Sequence, residues 1–235
     1  MNLILLKPSD FIDEHTAEFS DFRFEHIKKT LKSQNGDTIK IGLLEKKIGI
    51  GEIIEITEKS IKITVNLYKN PPKENPAILF CALPRPKVFR RILLDAVCFG
   101  VKEIHFFQSF KVEKSYWQSP FLSQNSIDKI IENALMQAAD TILPNVYFHQ
   151  SFKNFTEYIF TANVKNYPCF VFHPSKNPEE FKPEKNQRCG IVIGAEGGFT
   201  DEEIGFFIKN NAKIVGLGTR ILKVEQAICA ILGKL

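Results

Sequence analysis

The sequence predicts an α/β protein, a mostly parallel sheet with its helices, preceded by a small β-rich domain. Three observations carry this. Through the first seventy residues the apolar positions come in close, isoleucine-rich runs at 38–44, 48–56 and 60–67, with Lys46-Lys47 and Glu58-Lys59 between them, the pattern of antiparallel strands joined by tight turns. Asn70-Pro-Pro-Lys-Glu-Asn-Pro76 then denies backbone donors to any sheet and marks a boundary. From Ala77 onward short apolar runs alternate with helical spacing, which is how a parallel sheet with crossover helices reads. The domains expected are 1–70, a small barrel or sandwich, and 74–235, the α/β domain.

Taken in order, residues 3–6 form a first short strand. Residues 24–31 are a brief helical or irregular piece ending at the turn signal Asn35-Gly36-Asp37. Residues 77–83 are a strand buried on both faces. Pro86 opens a helix whose stripe is Phe89, Ile92, Leu93, Ala96 and Phe99, stopped by Gly100. A strand at 101–107 follows, then a helix with Ile127, Ile130, Ile131, Ala134, Leu135 and Ala138 on one face, ended by Pro144. Strands are expected at 145–149, 169–173, 189–193 and 213–215, with a short helix at 155–162 and a charged, irregular stretch at 176–185. Thr200-Asp-Glu-Glu203 is a capping box opening a helix to about Lys209. Residues 223–232 make the last helix, with Gly233 behind it.

The formal net charge is +4 and the isoelectric point about 8.7, a weak lean toward nucleic acid. The excess is local. Residues 74–125 carry 7 basic and 4 acidic groups, against 12 and 11 before them and 12 and 12 after. Arg85, Lys87, Arg90 and Arg91 dominate it, either a phosphate-binding spot or a solvated helix start. The five cysteines, an odd count with no zinc-ligand spacing, read as small buried apolar residues in a reducing compartment. With no signal-peptide pattern and no apolar stretch of membrane-spanning length, a cytoplasmic protein without membrane attachment is expected.

Two glycine-bearing loops each join a strand to a helix. Gly194-Ala-Glu-Gly-Gly-Phe-Thr200 is neither a dinucleotide fingerprint nor a phosphate-binding loop. Glu196 within it would repel a pyrophosphate but suit ribose hydroxyls or a positive sulfonium; the alternative is a tight turn without a ligand. Val215-Gly-Leu-Gly-Thr-Arg-Ile-Leu222 offers apolar contacts at Leu217, Ile221 and Leu222, otherwise ordinary core, and one strong cation, Arg220, otherwise a surface ion pair. Glu225 lies just beyond.

Ile193-Gly-Ala-Glu-Gly-Gly-Phe-Thr-Asp-Glu-Glu203 with Leu217-Gly-Thr-Arg-Ile-Leu-Lys-Val-Glu-Gln-Ala227 resembles the small-subunit (16S) ribosomal RNA uridine N3 methyltransferases of the knotted (SPOUT) superfamily. His26-Ile-Lys-Lys-Thr-Leu31 and Gly36-Asp37 resemble that family's PUA-like RNA-binding barrel. The resemblance spans essentially the whole chain. It implies a trefoil knot in the C-terminal domain, a homodimer, and bent S-adenosylmethionine held around Phe172, Ile193, Gly194, Glu196, Gly197, Leu217, Gly218, Ile221 and Leu222, with His173 a further wall. It implies methyl transfer to N3 of a uridine in ribosomal RNA, within a small-subunit particle, with no metal. Arg220 would stabilise the developing negative charge; Glu225, a phosphate or water would take the proton; Arg85, Lys87, Arg90 and Arg91 would hold phosphates; and Tyr116 or Trp117 would stack on a base or else pack in the core. The chain departs from the family pattern at Thr219, at Lys223-Val-Glu-Gln226, at Met136-Gln137 and Asp140, along Leu83-Pro-Arg-Pro-Lys-Val-Phe-Arg-Arg91, and through 112–120. The rival readings are a ribose 2′-O methyltransferase of the same superfamily, a non-catalytic RNA-binding factor and, least in keeping with the loops, a dinucleotide oxidoreductase.

Overall fold

A computed structural model describes residues 2–174 and 179–235. Of the stretch 176–185 expected to be irregular, 176–178 lie outside the described residues. The chain divides into two compact units: Met1–Lys73 with Glu132–Leu143, and Glu74–Ile131 with Pro144–Leu235.

In the first unit the strands are β1 (Ile4–Leu6), β2 (Thr16–Phe19), β3 (Thr38–Leu43), β4 (Ile48–Ile56), β5 (Ile61–Thr64) and β6 (Asn66–Lys69), with the short helix α1 (Phe22–His26) after β2. The sheet path is β1-β3-β4-β5-β2, with β6 on β4. β1 is parallel to β3, and the remaining pairs are antiparallel. The single strand expected at 60–67 is interrupted at Val65, whose amide leaves the hairpin and donates to the His15 carbonyl at 2.8 Å. β2 escaped the sequence reading because Thr-Ala-Glu-Phe is too short to show a period. Its core of Ile4, Leu6, Phe19, Phe24, Ile27, Ile41 and Ile63 surrounds a buried guanidinium. Arg23 donates to both oxygens of Asp10, at 2.7 and 2.9 Å, and to the Leu5 carbonyl. Glu132–Leu143 groups with this unit, although the sequence assigns it to the second domain. The amides of Asn2 and Leu3 donate to the Met136 carbonyl, and that of Leu143 to Glu45.

The second unit is a seven-stranded, wholly parallel sheet: β7 (Asn75–Ala82), β8 (Val101–Phe107), β9 (Asn145–His149), β10 (Cys169–Phe172), β11 (Glu179–Glu180), β12 (Cys189–Ile193) and β13 (Lys213–Gly216). Their order is β11-β13-β10-β12-β7-β8-β9. β11, two exposed glutamates, carries no apolar signal and was not legible in the sequence. The helices are α2 (Pro86–Cys98), α3 (Gln124–Ala138), whose last turns belong to the first unit, α4 (Phe152–Asn154), α5 (Thr161–Val164), α6 (Asp201–Lys209) and α7 (Val224–Leu232); a π-helical stretch, Phe155–Phe160, joins α4 to α5.

The period-two alternation of β8 sends its side chains to two different layers. Phe106 meets Phe89 of α2 at 4.8 Å between ring centroids. Phe107 points the other way and stacks on Phe155 at 4.1 Å, within a cluster that includes Phe80, Phe160 and Phe207. All five cysteines are free thiols. Burial pushes Cys169 up to about 12 and Cys189 to about 11, so they pack as apolar groups.

Candidate functional site

Because the strands are parallel, the loops leaving β7, β10, β12 and β13 all emerge at one edge of the sheet. β12 lies between β7 and β10, so the chain order reverses there, the place where open α/β sheets take ligands. A cleft of about 630 Å3 opens at that edge, within the second unit.

One wall is the turn after β12. Ile193 is buried at the strand end. A Cβ on Gly194 would lie 3.0 Å from the Gly198 Cα, so a larger residue there would force the turn to give by a few tenths of an ångström; Gly198 itself has φ +64°. The Gly198 amide donates to the Ala195 carbonyl at 2.8 Å. The capping box forms as the sequence predicts: the Glu203 amide donates to Thr200 Oγ1, and the Thr200 amide to Glu203 Oε2 at 2.8 Å. Such a cap contributes about 1 kcal/mol. Glu203 is fully buried, and its other oxygen accepts the Phe110 amide at 3.0 Å. Glu196 accepts the Arg85 backbone amide at 3.2 Å on Oε1.

The opposite wall is the segment from β13 to α7. Leu217 is half-buried, whereas Ile221 is 79% and Leu222 38% exposed. Gly218 has φ +102°. Arg220 lines the cleft and makes no hydrogen bond or ion pair among the described residues. Glu225, on the first turn of α7, has Oε1 engaged by Arg91 of α2 at 3.0 Å. Phe172 is buried against Phe181, rings 4.9 Å apart, at the back of the cleft. Beside it His173 is held below its ordinary pKa by burial and by the Lys111 charge.

The cleft therefore gathers every residue assigned to the cofactor, together with Arg220 and Glu225. Of the four basic residues assigned to phosphates, Arg85 and Arg91 line it, while Lys87 and Arg90 stand exposed on α2 outside it. Arg90 lies over the Phe121 ring at 5.2 Å. Arg85 is raised by its hydrogen bond to Tyr116 and by the nearby carboxylates Glu196 and Glu113. Trp117 is half-buried, with its indole N–H on Gln108 Oε1 and its edge toward Phe148, so its ring belongs to the packing of this loop. Sequence reasoning missed Val88 and Lys111. The first is indistinguishable from core, and the second sits in a stretch, 108–118, with no period to read.

Fold and cleft define an α/β domain with a cleft of small-ligand size at the switch of a parallel sheet. The chain belongs to the RNA methyltransferase family, whose domain model matches residues 71–235. It is 30% identical over 212 residues to ribosomal RNA small subunit methyltransferase E 2 of Borreliella burgdorferi, covering 87% of this chain and 84% of that one. It is 26% identical over 238 residues to ribosomal RNA small subunit methyltransferase E of Treponema pallidum, covering 98% and 88%. Among solved structures, ribosomal RNA small subunit methyltransferase E from Neisseria gonorrhoeae bound to S-adenosyl methionine superposes with a TM-score of 0.75 at 16% identity, covering 99% of this chain and 95% of that one. A putative methyltransferase from Legionella pneumophila, also with bound SAM, gives 0.76 at 19%, covering 99% and 95%. At such identities the likeness speaks for the fold.

Proposed function

We propose that this protein transfers a methyl group from S-adenosylmethionine to N3 of a uridine in small-subunit ribosomal RNA. The observation that carries the reading is the convergence of two glycine-bearing turns on one cleft, lined also by an arginine that has no partner among the described residues. The cleft suits that cofactor. Its volume lies within the range of small-ligand sites. The close approach at Gly194 leaves backbone rather than side chain facing a ligand. Glu196 has one oxygen left for ribose hydroxyls or the sulfonium charge. Bound there, the cofactor supplies a methyl already activated by its sulfonium.

The chain's own residues then have three tasks. Ile193, Gly194, Glu196 and Gly197 on one side, and Leu217, Gly218, Ile221 and Leu222 on the other, with Phe172 behind, hold the donor in line with the acceptor nitrogen. Arg220 stabilises the negative charge that spreads to the uracil carbonyls as N3 loses its proton. Glu225, with Oε2 left open by Arg91, accepts that proton. Methyl moves to N3, the sulfonium becomes a neutral thioether, and charge balances. Arg85, Lys87, Arg90 and Arg91 hold the RNA backbone. Residues 1–70 serve as the PUA-like RNA-binding barrel and 74–235 as the catalytic domain of a cytoplasmic homodimer acting on a small-subunit particle. A trefoil knot is favoured by the path of the C-terminus. β13 is separated from β7 by β10 and β12, yet α7 returns to α2, where Arg91 meets Glu225 and Asn75 donates to the Leu232 carbonyl.

The test is nucleoside mass spectrometry of small-subunit RNA from cells lacking the gene, and of that RNA after incubation with protein and S-adenosylmethionine. Loss and return of 3-methyluridine is expected. A 2′-O-methylated nucleoside, or no methyl at all, would overturn the assignment.

A further inference from the structure

Lys111 lies in the loop after β8, far in sequence from the turn after β12. Its ammonium donates to the carbonyls of Gly197 at 2.9 Å and Phe199 at 3.0 Å. Its stem runs beneath the turn, since a Cβ on Gly197 would meet the Lys111 Cβ at 3.2 Å and Cδ at 3.3 Å. The neighbouring Phe110 amide is bound by Glu203, the residue that closes the capping box. One short loop therefore grips the second half of the glycine turn and the helix cap that follows it. Two carbonyls that converge on one ammonium are turned away from the amides beside them, and a charged donor makes stronger bonds than a neutral one. A glycine-rich turn has the most backbone freedom to lose on binding, so a residue that fixes it beforehand lowers the cost of ordering it around a ligand.

We propose that Lys111 is a positioning residue for the cofactor: it holds the Gly194–Thr200 turn in its ligand-receiving shape without touching the reacting atoms. The inference rests on the reading of that turn as the S-adenosylmethionine wall. Its consequence is a split between cofactor affinity and chemistry.

The experiment compares wild type, Lys111→Met and Lys111→Arg in the full-length protein. Calorimetry reads S-adenosylmethionine binding, hydrogen exchange reads the amides of 194–200 without ligand, and steady-state kinetics read KM and kcat. Lys111→Met is expected to weaken cofactor binding ten- to a hundredfold, to speed exchange in the turn, and to leave kcat at saturating cofactor and KM for RNA within threefold. Lys111→Arg, which keeps a charged donor, recovers most of the affinity. Unchanged affinity in Lys111→Met, or a fall in kcat and thermal midpoint as large as the fall in affinity, would overturn the role. Absence of cofactor binding by wild type would instead sink the cofactor reading itself, and the role of Lys111 with it.

Discussion

The two walls of the cleft are built differently. The turn after β12 is fixed from several sides: Arg85 on Glu196, Lys111 on the Gly197 and Phe199 carbonyls, and Glu203 on Phe110 and Thr200. Across the cleft, no hydrogen bond involving a side chain and no ion pair holds residues 217–222 among the described residues, and Ile221 stands 79% exposed. An apolar side chain left in water beside a cleft gains about 25 cal/mol per Å2 once it is covered. On the proposed reading, the fixed wall would be ready before binding, while the other wall would gain its contacts only with a ligand. Preorganisation on one side would limit the ordering cost, and looseness on the other would let cofactor enter and product leave.

The largest effect expected breaks the fixed wall. Gly194→Trp cannot keep the turn closed, since even a Cβ comes within 3.0 Å of Gly198. S-adenosylmethionine affinity should fall more than about a hundredfold, beyond about 2.8 kcal/mol by the tenfold-per-1.4 kcal/mol rule. Calorimetry measures it, with far-UV dichroism to establish that the sheet persists. Near-normal affinity would mean that the turn is not the cofactor wall.

On the open wall the loss should fall on the chemical step instead. Arg220 makes no hydrogen bond or ion pair among the described residues, so Arg220→Ala should cost little stability. Removing a charge stabiliser of this kind lowers kcat roughly a hundredfold or more, with cofactor affinity kept within about threefold. Single-turnover methylation of the RNA separates the two quantities. Glu225→Gln should also lower kcat, by about a hundredfold, whereas Arg91→Ala, which breaks the same ion pair but keeps the carboxylate, should lower it far less. If both substitutions act equally, Glu225 braces α7 against α2 and accepts no proton.

A smaller effect sharpens the comparison. Ile221→Gln removes apolar area from a side chain already in water, so the free protein should be as stable as wild type. Once bound, the lost cover should raise KM for the cofactor about tenfold, in line with the roughly 1–3 kcal/mol contributed by burying such a side chain. Unchanged KM would show that this wall never closes over the ligand.

Legibility in the sequence follows the same division. The central strands of the second unit could be read because burial on both faces writes continuous apolar runs such as Ile78-Leu79-Phe80-Cys81, and the capping box because its spacing is fixed by one helical turn. Both glycine loops were legible as strand-to-helix joins. The clamp was not. Lys111 meets Gly197 across 86 positions of chain, with no periodicity to announce the pairing. The same holds for Glu132–Leu143, whose helical spacing is correct but whose grouping with the first unit depends on distant partners such as Glu45 and Lys46. β2 and β11 were too short to show a pattern, and Val65 breaks its hairpin through a backbone bond that no side-chain type encodes.

The smallest effect concerns pH, and it lies away from the cleft. His105 is buried on β8, with Nδ1 2.9 Å from His149 Nε2 and Nε2 3.1 Å from Glu103, which Arg188 pairs in turn at 2.7 Å. Tyr147 stacks on His105, and Phe155 lies against His149. Burial, and then the neighbouring imidazole, bring His149 down to about 4; burial also lowers His105 against the opposing pull of Glu103. An unfolded histidine titrates near 6.5. Between about pH 6.5 and 4 the unfolded chain therefore binds more protons than the folded one, and stability rises with pH across that window and falls as acid is added. Above it the contribution is complete. Urea midpoints at pH 5 and pH 7 should differ in that direction for wild type, and the difference should shrink in His149→Phe. The clamp on the glycine turn contains neither of these histidines, so acid should loosen the β8–β9 side of the sheet while cofactor affinity, measured where the protein is still folded, stays flat. A parallel fall in both would mean that the fixed wall draws its rigidity from the histidine pair, and the contrast between the two walls would have to be rebuilt on that coupling.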